Sequence, residues 1–136
     1  MEGAVDFIDW LRECFQVVIL SDTFYEFSQP LMRHLGFPTL LCHRLEIAED
    51  GRVMDYKLRQ EDPKRQAVKA FHGLKYRVIA AGDSYNDTTM LAEADAGILF
   101  MAPDNVVAEF PQFPAVFSYE DLKQSFISAS NRSLQL

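Results

Sequence analysis

The sequence predicts an α/β fold with a doubly wound, mostly parallel sheet. Three observations carry that expectation. Continuous apolar runs such as Val17-Val18-Ile19-Leu20 and Ala96-Gly97-Ile98-Leu99-Phe100 alternate with segments whose apolar residues recur at helical spacing. Parallel strands need crossover connections, and helices supply them. Two of the runs end in small polar loops, Ser21-Asp22-Thr23 and Gly82-Asp83-Ser84, which is where such sheets place their ligands. A length of 136 residues is that of one domain, read as a single unit over 1–136, and a composition 49% hydrophobic and 24% charged gives it enough apolar surface for a core without disulfides or metal.

Val5, Ile8, Leu11 and Phe15 recur among Asp6, Asp9, Arg12 and Glu13, which predicts an opening amphipathic helix with Trp10 on its packed edge. Gln16 to Leu20 predicts a strand covered on both faces. Tyr25 to Leu35 predicts a helix, closed by Gly36 as a left-handed cap with Pro38 just beyond. Thr39 to Cys42 predicts a second short strand. Leu45-Glu46-Ile47 and Val53 to Arg59 flank Asp50-Gly51, a hairpin-turn pair, so a β-hairpin over about residues 43–60 interrupts the strand–helix rhythm.

Asp62 as N-cap and Pro63 in the first turn start the next helix, with Val68, Phe71 and Leu74 as its buried stripe. Tyr76 to Ala81 predicts a strand ending at Gly82-Asp83, and Asn86 or Asp87 to Glu93 a short helix turning Met90 and Leu91 inward. Ala96 to Phe100 predicts a buried strand, Val106 to Phe110 a helical turn, and Ala115-Val116-Phe117 a short strand. Glu120 to Ala129 predicts a last helix with Leu122, Phe126 and Ile127 on one face, and the polar tail from Ser130 to Leu136 is expected to fray.

Charge narrows the partners. Thirteen Lys and Arg stand against 20 Asp and Glu, a net charge of −7 with no basic cluster to neutralise a run of phosphates, which argues against nucleic acid. Any phosphorylated small molecule needs a local positive centre, a bound cation or a placed lysine, against that field. Cys14 and Cys42 fit no metal or redox spacing and read as small buried hydrophobes. The acidic start and the lack of any apolar run near the ~18 residues of a membrane helix point to a cytoplasmic protein with no membrane partner.

The candidate chemistry lies in three places. Gly82-Asp83-Ser84-Tyr85-Asn86-Asp87 sets a carboxylate at a strand end, with an amide and a second carboxylate three and four residues on, a donor set suited to a hard cation such as Mg²⁺. The same residue types are also common turn and N-cap residues. Ser21-Asp22-Thr23 offers two hydroxyls and a carboxylate beside a helix start, a geometry for phosphate oxygens or an ordinary capping loop. Lys64 sits in the first turn of its helix, where the macrodipole disfavours a cation, and so either faces a bound anion or is a solvated surface lysine beside Arg65 and Lys69. His34, His43 and His72 have no ligand spacing, and neither a G-x-S-x-G elbow nor a nucleotide-binding glycine fingerprint is present.

The strings Val17-Val18-Ile19-Leu20-Ser21-Asp22-Thr23, Asp62-Pro63-Lys64-Arg65 and Gly82-Asp83-Ser84-Tyr85-Asn86-Asp87 stand in the order of motifs II, III and IV of the haloacid dehalogenase-like phosphatases. Over nearly its whole length the chain resembles the phosphoserine phosphatase branch, most of all its bifunctional phosphatase/homoserine phosphotransferase members. The resemblance implies a Rossmann-like core and Mg²⁺-dependent phosphoryl transfer through an aspartyl-phosphate, with a phosphorylated amino acid as substrate and homoserine as an acceptor. It implies that Ser21 binds the transferring phosphoryl group, that Asp22 and Thr23 shape the substrate side, and that Lys64 neutralises phosphate and nucleophile. It further implies that Asp83 ligates Mg²⁺, Asp87 supports the metal directly or from behind, and Asn86 contacts substrate or phosphate. Ser84 stands where many relatives have glycine.

The family's nucleophile belongs to motif I, an Asp-x-Asp after an N-terminal hydrophobic strand, and this sequence has no Asp-x-Asp. Asp6 and Asp9 fall on the opening helix and Asp22 belongs to motif II. The expectation is therefore a partial core without the central motif I strand and helical cap. Such a core is inactive alone, and a complementing N-terminal segment or a homodimer would be its partner. A catalytically silent metal- and phosphate-binding domain is the alternative. A phosphoacceptor receiver fits less well, because the acids cluster after a late strand.

Overall fold

The computed structural model describes residues 2–47, 49–50, 53–57 and 62–130. The chain divides into two compact units, Met1–Pro63 and Lys64–Leu136.

In the first unit, helix α1 (Ala4–Cys14) follows Gly3, whose φ of 86° turns the chain into the helix, and buries Phe7 and Leu11; of the expected stripe Leu11 is buried, Ile8 and Phe15 are half-buried, and Val5 is exposed in the first turn. Trp10 packs against Phe7 in a tilted arrangement and edge-on against Phe15, with ring centroids 6.0 and 6.4 Å away. Strand β1 (Val18–Phe24) leads into helix α2 (Tyr25–His34), which ends at Gly36 with φ 76°. The Arg12 guanidinium donates to the carbonyls of Leu35 and Gly36 at 3.3 and 3.1 Å, satisfying acceptors that α2 leaves open at its C-terminus.

Strand β2 (Thr39–Ile47) is one long strand rather than the two expected pieces. Its first part runs parallel to β1, pairing Val18 with Thr39 and Leu20 with Leu41. Its second part runs antiparallel to β3 (Val53–Lys57), pairing Arg44 with Lys57 and Leu45 with Tyr56. The order is β1-β2-β3. Gly51 of the expected hairpin turn, and residues 58–61, lie outside the described residues, as does the tail over 131–136.

A second correction concerns Ser21-Asp22-Thr23. These residues belong to β1 instead of a loop beyond it. The ladder to β2 slips between Leu20 and Phe24, and within that slip the Ser21 hydroxyl accepts from the Thr23 N–H at 3.2 Å. A short polar side chain thus takes a backbone donor that the broken register leaves without its strand partner, and the chain stays extended.

In the second unit, α3 (Pro63–Gly73), β4 (Ile79–Gly82), a 3₁₀ turn (Tyr85–Asp87), α4 (Thr88–Glu93), β5 (Ala96–Phe100), α5 (Asp104–Glu109), β6 (Ala115–Val116) and α6 (Tyr119–Ala129) follow in order. The sheet is β4-β5-β6, parallel throughout, with Ile79 opposite Ala96 and Leu99 opposite Ala115. Val68, Leu91, Ile98 and Leu99 are its most deeply buried large side chains, joined by Met90, Val106, Leu122 and Phe126. Gly97 lets α4 close on β5, since a Cβ there would lie 2.6 Å from the Leu91 carbonyl oxygen.

Asp62 directly precedes α3 as expected of an N-cap, with φ 43° where an N-cap is ordinarily extended. Two local expectations fail in the second unit. Leu74 is exposed, and strand β4 begins at Ile79 and not at Tyr76. Both follow from how α3 ends. Lys75 adopts φ 72°, its N–H bonds the His72 carbonyl at 2.9 Å, and the Tyr76 N–H bonds the Phe71 carbonyl at 3.0 Å. This Schellman closure swings Leu74 off the helix's buried face, with lysine in the position that favours glycine. The Val78 N–H then goes to the Asp95 carboxylate at 2.7 Å instead of a strand neighbour.

Asp95 also bonds His72 Nε2 at 2.8 Å. The Val78 N–H, then the His72 hydrogen bond, hold the Asp95 carboxyl below its ordinary value. A depressed carboxyl stabilises the fold above the unfolded-state pKa, and that contribution disappears as pH falls through the folded value. The side chain is 39% exposed, so solvent screening keeps the contribution to about 0.5 kcal/mol or less. Asp95→Asn should lower the stability of this unit by about 0.5 kcal/mol or less at pH 7 and converge on wild type as pH falls below the ordinary carboxylate range, which flattens the acid limb. Urea titrations across that range check the difference, and an unaltered acid limb would refute it. Among the described residues no helix is long and apolar enough to cross a membrane.

Candidate functional site

The chemistry of the second unit gathers where β4 ends. The chain leaves the ladder at Gly82, opposite Leu99 of β5, and enters the 3₁₀ turn through Ser84, which is extended at φ −125°, ψ 163°. Asp87, at the end of that turn, folds its carboxylate back over the strand end. Its Oδ2 accepts from the N–H groups of Asp83 (3.0 Å) and Ser84 (3.2 Å) and from the Ser84 hydroxyl (3.2 Å). Its Oδ1 accepts from Lys64 Nζ at 2.6 Å, a short charge-assisted bond.

Gly82 makes this possible. It does not have a positive φ, so its role is clearance: a Cβ there would lie 2.6 Å from Asp87 Cβ and Oδ2 and 2.7 Å from Cγ.

The electrostatics follow from burial. Asp87 is 4% exposed and the Lys64 side chain 15%, so both charges are largely removed from water. Burial pushes the Asp87 carboxyl up, and the hydrogen bond and charge of Lys64 together with the N–H groups of Asp83 and Ser84 outweigh it, leaving the group below its ordinary value. Lys64 thus has a fixed anionic partner. The anion that makes its helix-start position tolerable, which the sequence placed on a ligand, is in the first instance the protein's own Asp87.

The other predicted residues fall in two groups. Asp83 and Asn86 are exposed on the same loop, and among the described residues the Asp83 carboxylate has no hydrogen-bond donor, which leaves it open to a cation. Ser21 and Thr23 are half-buried and Asp22 is exposed, all in β1 of the first unit. Among the described residues no cluster of three or more His, Cys, Asp and Glu forms a ready metal cage. An Mg²⁺ ion needs none, since it keeps several waters and takes one or two carboxylates together with substrate oxygens. Asp83 suits that role, whereas both oxygens of Asp87 are already turned on hydrogen-bond donors.

Sequence reading missed the Lys64–Asp87 bond, which spans 23 positions and leaves no trace in local spacing. The local half was legible in Ser84-Tyr85-Asn86-Asp87, an S-x-x-D string of the kind that reaches back to its own N-cap. The capping reading of that loop is met by Ser84 and Asp87.

A profile of the haloacid dehalogenase-like hydrolases matches residues 1–92. The chain is 76% identical over all 136 residues to the phosphoserine phosphatase ThrH of Pseudomonas aeruginosa, of which it covers 66%. It is 75% identical to a phosphoserine phosphatase of Pseudomonas syringae pv. tomato, of which it covers 57%. The chain therefore spans about two thirds or less of the curated relatives it matches. Among solved structures, a phosphoserine phosphatase from T. onnurineus superposes with a TM-score of 0.71 at 28% identity, over 98% of this chain and 60% of that one. With a profile match over most of its length and parallel strands in both of its sheets, the chain belongs to the haloacid dehalogenase-like hydrolases.

Proposed function

We propose that these residues serve Mg²⁺-dependent phosphoryl transfer of the phosphoserine phosphatase type, with homoserine as a second acceptor. The observation that carries the reading is Lys64 Nζ held 2.6 Å from Asp87, in the unit whose strand-end loop leaves the Asp83 carboxylate exposed. An oriented cation and a free carboxylate are what a reaction catalysed by positioning and charge stabilisation requires. Lys64 neutralises charge on the phosphoryl oxygens. Asp83 holds the metal, which when bound offsets phosphate charge, and Asp87 supports that site from behind through the backbone of Asp83 and Ser84. Asn86 contacts substrate or phosphate. The motif resemblance, rather than any measured geometry, supports Ser21 as a phosphoryl ligand with Asp22 and Thr23 lining the substrate side.

The aspartate nucleophile is the missing part, because these 136 residues contain no Asp-x-Asp. We assign it to a complementing segment outside them, and the absent central strand and cap of the fold to the same segment. The test is phosphate release from phosphoserine with Mg²⁺. The 136-residue chain should run near background, and a longer product carrying an N-terminal Asp-x-Asp should turn over. In that longer product Lys64→Ala should cost about 100-fold or more in kcat. Full turnover by the short chain would overturn the assignment of the nucleophile, and an undiminished Lys64→Ala would overturn the role of the lysine. The missing motif also favours a second reading, a domain that binds metal and phosphate without catalysis, for which the longer product would bind both and release none.

A further inference from the structure

We infer that Ser84 is a positioning residue for Lys64, acting through Asp87; the inference rests on the proposed role of Lys64 as the phosphate's counter-charge. An ionised carboxylate offers about four lone-pair sites. In Asp87 one oxygen, Oδ2, takes three donors, so the plane of the carboxylate is fixed and Oδ1 is left directed at Lys64. Two of the three donors are backbone N–H groups, present whatever the side chains are. The third is the Ser84 hydroxyl, the one donor on Oδ2 that the sequence selects. Ser84 is half-buried and extended, so its hydroxyl reaches Asp87 without straining the turn. Without it Oδ2 keeps only its two N–H donors, the carboxylate is held less firmly about Cβ–Cγ, and the ammonium follows the oxygen it is bonded to.

The experiment uses the 136-residue chain and inorganic phosphate as the probe, titrated calorimetrically in Mg²⁺, with Mg²⁺ titrated alone beside it. Ser84→Ala should weaken phosphate about fivefold, and Ser84→Thr, which keeps the hydroxyl on a backbone that accepts a β-branched residue, should restore it to within about twofold. In a Lys64→Ala background Ser84→Ala should add nothing, the signature of two residues acting as one unit. Mg²⁺ affinity should stay level throughout.

A phosphate affinity untouched by Ser84→Ala, or one lowered equally with and without Lys64, overturns the positioning role. So does a parallel loss of Mg²⁺ affinity and Tm, which marks a merely structural cap. Wild type and Lys64→Ala binding phosphate alike, or neither binding it, defeats the underlying reading of Lys64 instead. The NMR signal of the Lys64 ammonium decides the remaining case without any ligand: slow proton exchange in wild type and Ser84→Thr and fast exchange in Ser84→Ala is expected, and equal rates in all three refute the inference.

Discussion

Replacing Asp87 by alanine is expected to destabilise the Lys64–Leu136 unit by about 3 kcal/mol, the lower end of the cost of breaking a buried ion pair. The substitution leaves the Lys64 ammonium, 15% exposed, without its carboxylate, and strips the acceptor from the N–H groups of Asp83 and Ser84 and from the Ser84 hydroxyl. Asp83 is exposed and Ser84 half-buried, so water can reach part of what is lost, which sets the lower end rather than the upper. Asp87→Asn should fall between, because the amide oxygen can still accept from the backbone while its NH₂ cannot pair with the ammonium. Trp10 lies in the first unit and is a poor reporter of this change. Hydrogen exchange at Leu91, Ile98 and Leu99, in the core of the second unit, reads it directly. Protection of those amides within about 1 kcal/mol of wild type in Asp87→Ala would sink the claim that the pair holds the loop.

What the sequence revealed and what it hid divide along the reach of the interactions. Helices α4 and α6 and strand β5 were legible because each buries a face whose period is written in adjacent residues: Met90 and Leu91, Leu122 and Phe126 are inside as their spacing demands, whereas α1 keeps Leu11 of its expected stripe inside but buries Phe7 and exposes Val5. The end of α3 was not, because a Schellman closure with Lys75 at the left-handed position breaks the preference for glycine that a reader relies on. The continuation of β1 through Ser21-Asp22-Thr23 was hidden for a similar reason. Three polar residues read as a loop, yet the slip in the β2 ladder and the Ser21 hydroxyl keep them extended. At the candidate site the residue types were legible, since Lys64 broke a helix rule and Asp83 and Asp87 stood at a strand end. Their wiring was not, because the partner of Lys64 is set by tertiary packing between α3 and the loop after β4.

Gly82→Ala should reduce phosphate affinity to the level of Lys64→Ala and cost about 2–3 kcal/mol in stability, as forced overpacking does. The added methyl would sit 2.6 Å from both Cβ and Oδ2 of Asp87. Turning the Asp87 side chain relieves the oxygen but not the Cβ, which moves only with the backbone of the 3₁₀ turn. The strand side cannot yield instead, since Gly82 is held in register against Leu99 of β5. The turn must therefore shift, and with it go the bonds that Asp87 makes to Asp83, Ser84 and Lys64. Gly97→Ala is the matched comparison: its methyl would meet the Leu91 carbonyl oxygen at 2.6 Å and Leu91 Cβ at 2.8 Å, a comparable steric insult away from the clamp. That variant should lose similar stability and keep its affinity for phosphate at temperatures where it is folded. If the two variants lose affinity alike, general loosening of the unit explains both. If Gly82→Ala alone is defective, the empty space at Gly82 serves the lysine's counter-ion and not merely the packing of the sheet.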